Sequence, residues 1–162
     1  MILAHFAGYT RPMDLILWRH ADAEDGIPDR ARKLTSKGVR QADNVAKWLL
    51  QRLPAKFSVL ASPAERTQQT ARALDVPFKT VEALAPGASV RAILEAADWP
   101  EHKSPVIVVG HQPDLGRVSA HLVGTPGSDV SIKKGGLWWF SNRVRDGESD
   151  IVVRAVISPD LL

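Results

Sequence analysis

Three short apolar runs that alternate with helix-forming stretches place the strongest constraint on how this chain can fold. They cover residues 14–18, 57–61 and 105–109, and polar or turn-forming residues lie on both sides of each run. Short, mostly apolar runs of this kind are typical of strands that are buried on both faces of a sheet. Because helices are predicted between them, we expect a three-layer α/β/α sandwich with a mostly parallel central sheet.

The helices are predicted from apolar spacing and from start signals. Apolar residues recur every three or four positions over 36–53, with Thr35 or Ser36 as the N-cap. The sequence "SPAER" predicts a second helix, with Ser62 as its N-cap and Glu65 completing a capping box. The remaining predicted elements are a short strand at 78–82, helices at 90–97 and 113–123, and a hairpin of strands 137–144 and 151–157 joined by an Asp-Gly turn.

The composition excludes several classes of protein. The chain contains no cysteine, which rules out a disulfide scaffold, a thiolate zinc site and a cysteine nucleophile. That absence fits a reducing compartment, so we expect a cytoplasmic protein. The 21 Lys and Arg residues against 18 Asp and Glu give a net charge of +3 without a basic run, so no nucleic-acid partner is expected. No apolar stretch approaches the ~20 residues that cross a bilayer, so no membrane partner is expected either.

The length of the chain predicts its domain organisation. A chain of 162 residues has the size of one ordinary domain. Met13 can serve as an alternative start, which would make residues 1–12 an N-terminal extension outside the native chain. We therefore expect a single domain over residues 13–162.

The carboxyl ends of the three apolar strands carry arginine and histidine residues. Arg19 and His20 end the first strand, Ser62 and Arg66 follow the second, and His111 follows the third. Ligands of α/β sheets bind where the carboxyl ends of the strands converge. If the three strands are neighbours, two arginines and two histidines meet in one pocket.

These residue types suit phosphoryl transfer without a metal or a cofactor. Two planar guanidinium groups bind a phosphate through paired hydrogen bonds. One imidazole can attack phosphorus, and a second, protonated imidazole can stabilise charge on the equatorial oxygens. Other phosphatase chemistries lack their residues here, since the sequence has no D-x-D-x-[TV] run, no paired Asp/His stretches for a two-metal site and no P-loop.

Three motifs, in this order and spacing, resemble the histidine phosphatase superfamily and, within it, the small SixA-type phosphohistidine phosphatases. They are "LWRHADAED", "LASPAERTQQTARAL" and "VIVVGHQPDLG", and the resemblance extends from residue 14 to about residue 123. It implies a phosphoglycerate mutase-like fold, with His20 as a transiently phosphorylated nucleophile. It also implies that Arg19, Arg66 and His111 form the phosphate pocket. Ala21 stands where the commonest superfamily motif has glycine, and it is small enough to keep the close approach of phosphate.

Two kinds of residue around this core are assigned more loosely. Ser62 is interpreted as a helix cap first and as a phosphate ligand second. The general acid has three candidates, namely Glu82, Asp22 and Glu24, while the acids of the 22–29 loop are otherwise expected to be solvated. An alkoxide leaving group needs a proton, whereas imidazole, with a pKa of about 6.5, leaves far more easily. A weak or missing acid therefore fits a phosphohistidine substrate better than a sugar phosphate.

The main hypothesis is a metal-independent phosphatase that hydrolyses phosphohistidine on a protein, such as a phosphorelay domain, through a phosphohistidine enzyme intermediate. Two alternatives stay open. One is a small-molecule phosphomonoesterase of the same family, which would act on a small phosphorylated substrate. The other is a non-catalytic module that binds phosphate or a phosphoprotein.

Overall fold

A computed structural model describes residues 12–162, so the predicted N-terminal extension, apart from Pro12, lies outside the described residues. The described part of the chain contains six strands, four α-helices and three short 3₁₀ turns. The strands are β1 (Met13–Arg19), β2 (Ser58–Ala61), β3 (Lys79–Thr80), β4 (Val106–Gly110), β5 (Leu137–Arg145) and β6 (Glu148–Ile157). The helices are α1 (Ser36–Leu50), α2 (Glu65–Arg72), α3 (Val90–Ala96) and α4 (Asp114–Leu122), and the 3₁₀ turns are Asp29–Ala31, Glu82–Leu84 and Pro159–Leu161.

The strands form one sheet in the order β3-β2-β4-β1-β5-β6. β1 pairs with β4, β4 with β2, and β2 with β3, all in parallel, whereas β5 and β6 add an antiparallel hairpin at the β1 edge. Asp146 and Gly147 both have positive φ in the turn between β5 and β6, as expected for a tight Asp-Gly hairpin. The predicted α/β fold with a mostly parallel central sheet is confirmed.

Burial of both sheet faces explains why the central strands are apolar throughout. On β1, Ile16 and Trp18 pack into one core layer, and Leu15 and Leu17 pack into the other. The first layer is closed by residues of α1 and α2, and the second by residues of α3 and α4. Because successive side chains of a strand point to opposite faces, only a strand without polar alternation satisfies both layers.

The start of α2 differs from the prediction. Ala64, not Ser62, occupies the N-cap position, and the helix begins at Glu65. The Ser62 hydroxyl instead accepts a hydrogen bond from the Ala64 N–H group at 3.3 Å in the turn before the helix. The predicted capping box is also wrong, because the Glu65 carboxylate pairs with Arg72 at 3.0 Å on the helix surface. The N-cap therefore lies two residues later than the local start signals predict, and the Ser62 hydroxyl is hydrogen-bonded to His111.

The N-terminus of α1 packs directly against the loop that follows β1. Thr35 is the N-cap, and its hydroxyl accepts a hydrogen bond from the Gly38 N–H group at 3.0 Å. A Cβ atom at Gly38 would lie 2.0 Å from the carbonyl oxygen of Asp22, so only glycine allows this approach. The contact fixes the backbone two residues beyond His20.

None of the described helices is long and apolar enough to cross a membrane.

Candidate active site

The carboxyl ends of β1, β4 and β2 form one pocket because these three strands are neighbours in the sheet. The pocket has a volume of about 180 Å³ and is lined by Arg19, His20, Arg66 and His111. The two imidazole rings lie 5.5 Å apart between centroids, at an angle of 56°. The structure therefore brings together the four residues that the strand-end argument grouped. Ser62 lies behind the pocket, fully buried.

The orientation of His20 leaves one ring nitrogen available for reaction. Its Nδ1 atom lies 2.7 Å from the Ala21 carbonyl oxygen, which can only accept, so Nδ1 carries the proton and Nε2 has a free lone pair. The backbone around the ring is fixed, since the His20 N–H group donates to the Gly110 carbonyl and the Ala21 N–H group donates to Thr70 Oγ1. Burial, with the positive charges of Arg66 and Arg19, lowers the pKa of His20 to about 4. The ring is therefore neutral at pH 7, as a nucleophile must be.

Both pocket arginines keep N–H groups for an anion. Arg66 is buried, and its Nη1 and Nη2 atoms donate to the main-chain oxygen and the carboxylate of Asp29 at 2.9 and 3.1 Å. Arg19 donates from Nη1 to the Ile132 carbonyl at 2.7 Å, and burial lowers its pKa from the usual value. Within residues 12–162, the Nε atoms of both arginines are buried without a hydrogen-bond partner. Two partly desolvated guanidinium groups with spare donors favour a doubly charged anion such as phosphate.

His111 is neutral in this arrangement, whereas the role suggested for it toward a bound phosphoryl group uses the protonated form. Arg66 Nη2 lies 3.3 Å from Nδ1 of His111, and a guanidinium can only donate, so Nδ1 is unprotonated. Nε2 therefore carries the proton and donates to Ser62 Oγ at 2.7 Å. Burial lowers the pKa of His111 to about 3, and the charges of Arg66 and His20 add to this effect. A buried imidazole beside Arg66 cannot hold a proton unless a bound anion offsets the positive charge of the two groups.

The structure brings none of the three general-acid candidates to the pocket lining. Glu82 pairs with Arg30 at 2.7 Å, and 75% of its side chain is exposed. Glu24 is exposed as well. Asp22 accepts hydrogen bonds from Thr35 at 2.7 Å and from Lys134 at 3.1 Å, and these two bonds lower the pKa of its carboxyl group. A carboxyl group held ionised by two donors is poorly suited to give up a proton.

The sequence argument missed several residues that line the pocket, among them Asp25, or that contact its arginines. Asp29, expected in a solvated loop, bonds to Arg66; burial raises its pKa, but the charges of Arg66 and Arg32 outweigh this and the pKa is lowered. Arg32 lines the pocket and pairs with the other Asp29 oxygen at 3.0 Å. Lys134 lines it too, from a loop more than a hundred residues away along the chain. The mostly charged stretch from Asp29 to Lys33 resembles an ordinary exposed loop, so a single sequence carried no signal for these contacts.

The lowered pKa values of the two histidines predict how stability depends on pH. An imidazole in the unfolded chain has a pKa near 6.5, whereas His20 and His111 in the folded protein have values of about 4 and about 3. Between these values the unfolded chain binds more protons, so the free energy of unfolding falls as the pH is lowered from about 7 to about 4. Chemical denaturation measured across this interval should show a smaller fall for the double variant His20→Gln/His111→Gln.

His121 provides the control, since it is exposed on α4 and outside the pocket. His121→Gln should lose stability with falling pH as the wild type does. An identical pH dependence for the double variant and the wild type would contradict the assignment of neutral, buried rings.

Known proteins resemble this chain in sequence and in fold. The sequence model of the histidine phosphatase superfamily (branch 1) matches residues 15–85. An uncharacterized protein of Mycobacterium tuberculosis is 34% identical over 121 residues, covering 70% of this chain and 75% of the relative. The phosphohistidine phosphatase SixA homolog of Haemophilus influenzae is 28% identical over 128 residues, covering 69% of this chain and 78% of the relative.

A solved structure covers nearly the whole chain. A Nakamurella multipartitia protein, assigned as a phosphohistidine phosphatase SixA, superposes with a TM-score of 0.79 at 30% identity, covering 94% of this chain and 99% of the other. The fold and the four-residue pocket therefore define a phosphatase. The chain belongs to the histidine phosphatase superfamily, in its SixA-type branch.

Proposed function

We propose that the protein removes the phosphoryl group from phosphohistidine in a partner protein, such as a phosphorelay domain, through a phosphorylated His20 and without a metal. The observation that carries this proposal is the state of His20. It is neutral, it donates from Nδ1 to the Ala21 carbonyl, and its Nε2 lone pair is left beside Arg19, Arg66 and His111. A buried, neutral imidazole among cationic donors is suited to attack on phosphorus.

The proposed reaction has two steps. His20 Nε2 attacks phosphorus, and the P–N bond of the substrate breaks as the new one forms. The substrate ring, protonated at its other nitrogen, receives the bonding electrons and leaves as neutral imidazole. Arg19 and Arg66 hold the equatorial oxygens throughout. Water then attacks phospho-His20, which releases inorganic phosphate, returns neutral His20 and sends a proton to solvent.

The surroundings of the pocket favour a phosphohistidine substrate over an alkyl phosphate ester. Asp22 is held ionised by its hydrogen bonds, and Glu82 is engaged with Arg30 outside the pocket lining. An alkoxide would need a proton that neither group is placed to supply, and Asp25, which lines the pocket, lies on an exposed loop. An imidazole that is already protonated at its other nitrogen leaves as a neutral molecule and needs no such proton. The names of the Haemophilus and Nakamurella relatives support the same substrate class.

The proposal predicts an order of rates among three substrates. With a chelator present, purified protein should hydrolyse a phosphohistidine peptide fastest, an aryl phosphate more slowly and an alkyl phosphate slowest, as measured by phosphate release. The order follows the basicity of the leaving group when no acid assists. Fastest turnover of the alkyl ester would assign the protein to the small-molecule phosphomonoesterases. Binding of orthophosphate without any turnover would make it a binding module.

A further inference from the structure

A second, larger groove opens beside the catalytic pocket. It has a volume of about 680 Å³ and lies between α1, the loop around Lys133 and Lys134, and the C-terminal turn at Pro159. The groove is lined by five basic side chains, against the carboxylates of Asp22 and Asp160. The five are Arg19, Lys37, Arg40, Lys133 and Lys134.

The positive charge of the groove is only partly balanced. Lys134 pairs with Asp22 at 3.1 Å, and Lys133 lies 3.7 Å from Asp160. Lys37 and Arg40 make no ion pair with any residue in the described range 12–162. They stand three residues apart on α1, so their side chains project from the same face of the helix. The groove therefore carries more positive than negative charge.

The groove adjoins the catalytic pocket, because Arg19 and Lys134 line both. The smaller pocket, of about 180 Å³, has room for a phosphoryl group and little more of the substrate. Whatever surrounds the phosphoryl group of a larger substrate must extend over the surface beside it. The groove is the neighbouring surface with both the volume and the charge to hold further anionic groups.

We propose that this groove binds acidic side chains that flank the phosphohistidine of a protein substrate. The inference rests on the proposed function and specifies which phosphoproteins the site selects. Four of the basic residues are exposed and have long, flexible side chains, namely Lys37, Arg40, Lys133 and Lys134. Exposed cations spread along a groove suit several separate carboxylates on a protein surface, whereas a compact polyphosphate is usually held by converging, buried donors.

The test uses two synthetic phosphohistidine peptides of equal length. One has glutamates on both sides of the phosphohistidine, and the other has glutamines at the same positions. At low ionic strength the wild type should show a kcat/KM about fivefold higher for the acidic peptide, a size typical of a few exposed ion pairs. The preference should shrink as salt is added, since screening weakens exposed charge pairs. In the Lys37→Gln/Arg40→Gln variant the preference should be lost, while hydrolysis of an aryl phosphate, too small to reach the groove, changes less than about twofold.

Lys47 and Lys79 supply the matched control, because both are exposed and neither lines the groove. Lys47→Gln/Lys79→Gln removes the same charge and should keep the preference. If the wild type hydrolyses both peptides equally, or if the groove variant still prefers the acidic one, the groove inference is wrong while the proposed function stands. If the wild type hydrolyses neither peptide, the proposed function fails first.

A third result would assign the groove to a different occupant. Inorganic tripolyphosphate could inhibit aryl phosphate hydrolysis far more strongly than orthophosphate, with this difference lost in the Lys37→Gln/Arg40→Gln variant. Combined with equal rates on the two peptides, that result would show a site for a phosphate chain and overturn the protein-docking proposal.

Discussion

Replacing His20 by alanine is expected to lower kcat for a phosphohistidine peptide by at least about 10³-fold, because the variant has no atom that can accept the phosphoryl group. Arg19, Arg66 and His111 remain, so orthophosphate should still inhibit or bind. The measurement is phosphate release, together with a rapid alkaline quench that preserves phosphohistidine. When the phosphoryl group of the substrate is radioactively labelled, the label should appear on the wild-type protein and be absent from the variant.

His121→Ala is the matched control for this experiment, since it also removes one imidazole but from an exposed position on α4. It should retain wild-type turnover and labelling. A His20→Ala protein that keeps more than about a tenth of the wild-type rate, or a label that persists in it, would exclude His20 as the nucleophile. Thermal unfolding of each variant would show that the loss is not caused by misfolding.

Replacing Arg66 by lysine is expected to lower kcat/KM by about 10² to 10³-fold although the charge is kept. The Arg66 guanidinium contacts the Asp29 main-chain oxygen, the Asp29 carboxylate and His111 at once. An ammonium group cannot reproduce that planar set of donors together with a paired contact to phosphate. Steady-state kinetics and the inhibition constant of orthophosphate should both reveal the change.

Arg72→Lys, six residues further along the same chain segment, is the control for the Arg66 experiment. Arg72 lies on the surface of α2, where its partner is Glu65. Its replacement should leave kcat/KM within about twofold, as expected for an exposed ion pair. Arg66→Lys rates close to those of the wild type would show that the bidentate geometry is dispensable, and the phosphate would then have to be held mainly by Arg19.

Much of the fold could be predicted from local patterns. β1 and β4 are buried on both faces, and unbroken apolar runs in the sequence indicate strands of this kind. The hairpin turn at Asp146 and Gly147 needs positive φ at both positions, and an Asp-Gly pair favours this conformation. The start of α2 could not be predicted in the same way. Its local start signals compete with the hydrogen bond between His111 and Ser62, whose partners are 49 residues apart.

Local patterns are sufficient to predict the strands, the helices that alternate with them and the chemical groups at the strand ends. Those features depend on residues close together along the chain, where periodicity and turn chemistry act. From these the grouping of Arg19, His20, Arg66 and His111 follows, because parallel strands end at the same edge.

The protonation states of those groups, and the residues that surround them, depend on the assembled fold. The contacts of Arg66 with Asp29 and of Asp22 with Lys134 join residues 37 and 112 positions apart. The neutral forms of His20 and His111 follow from burial and from neighbouring guanidinium charges. Burial and charge proximity are properties of the assembled fold, so no local pattern in the sequence could specify them.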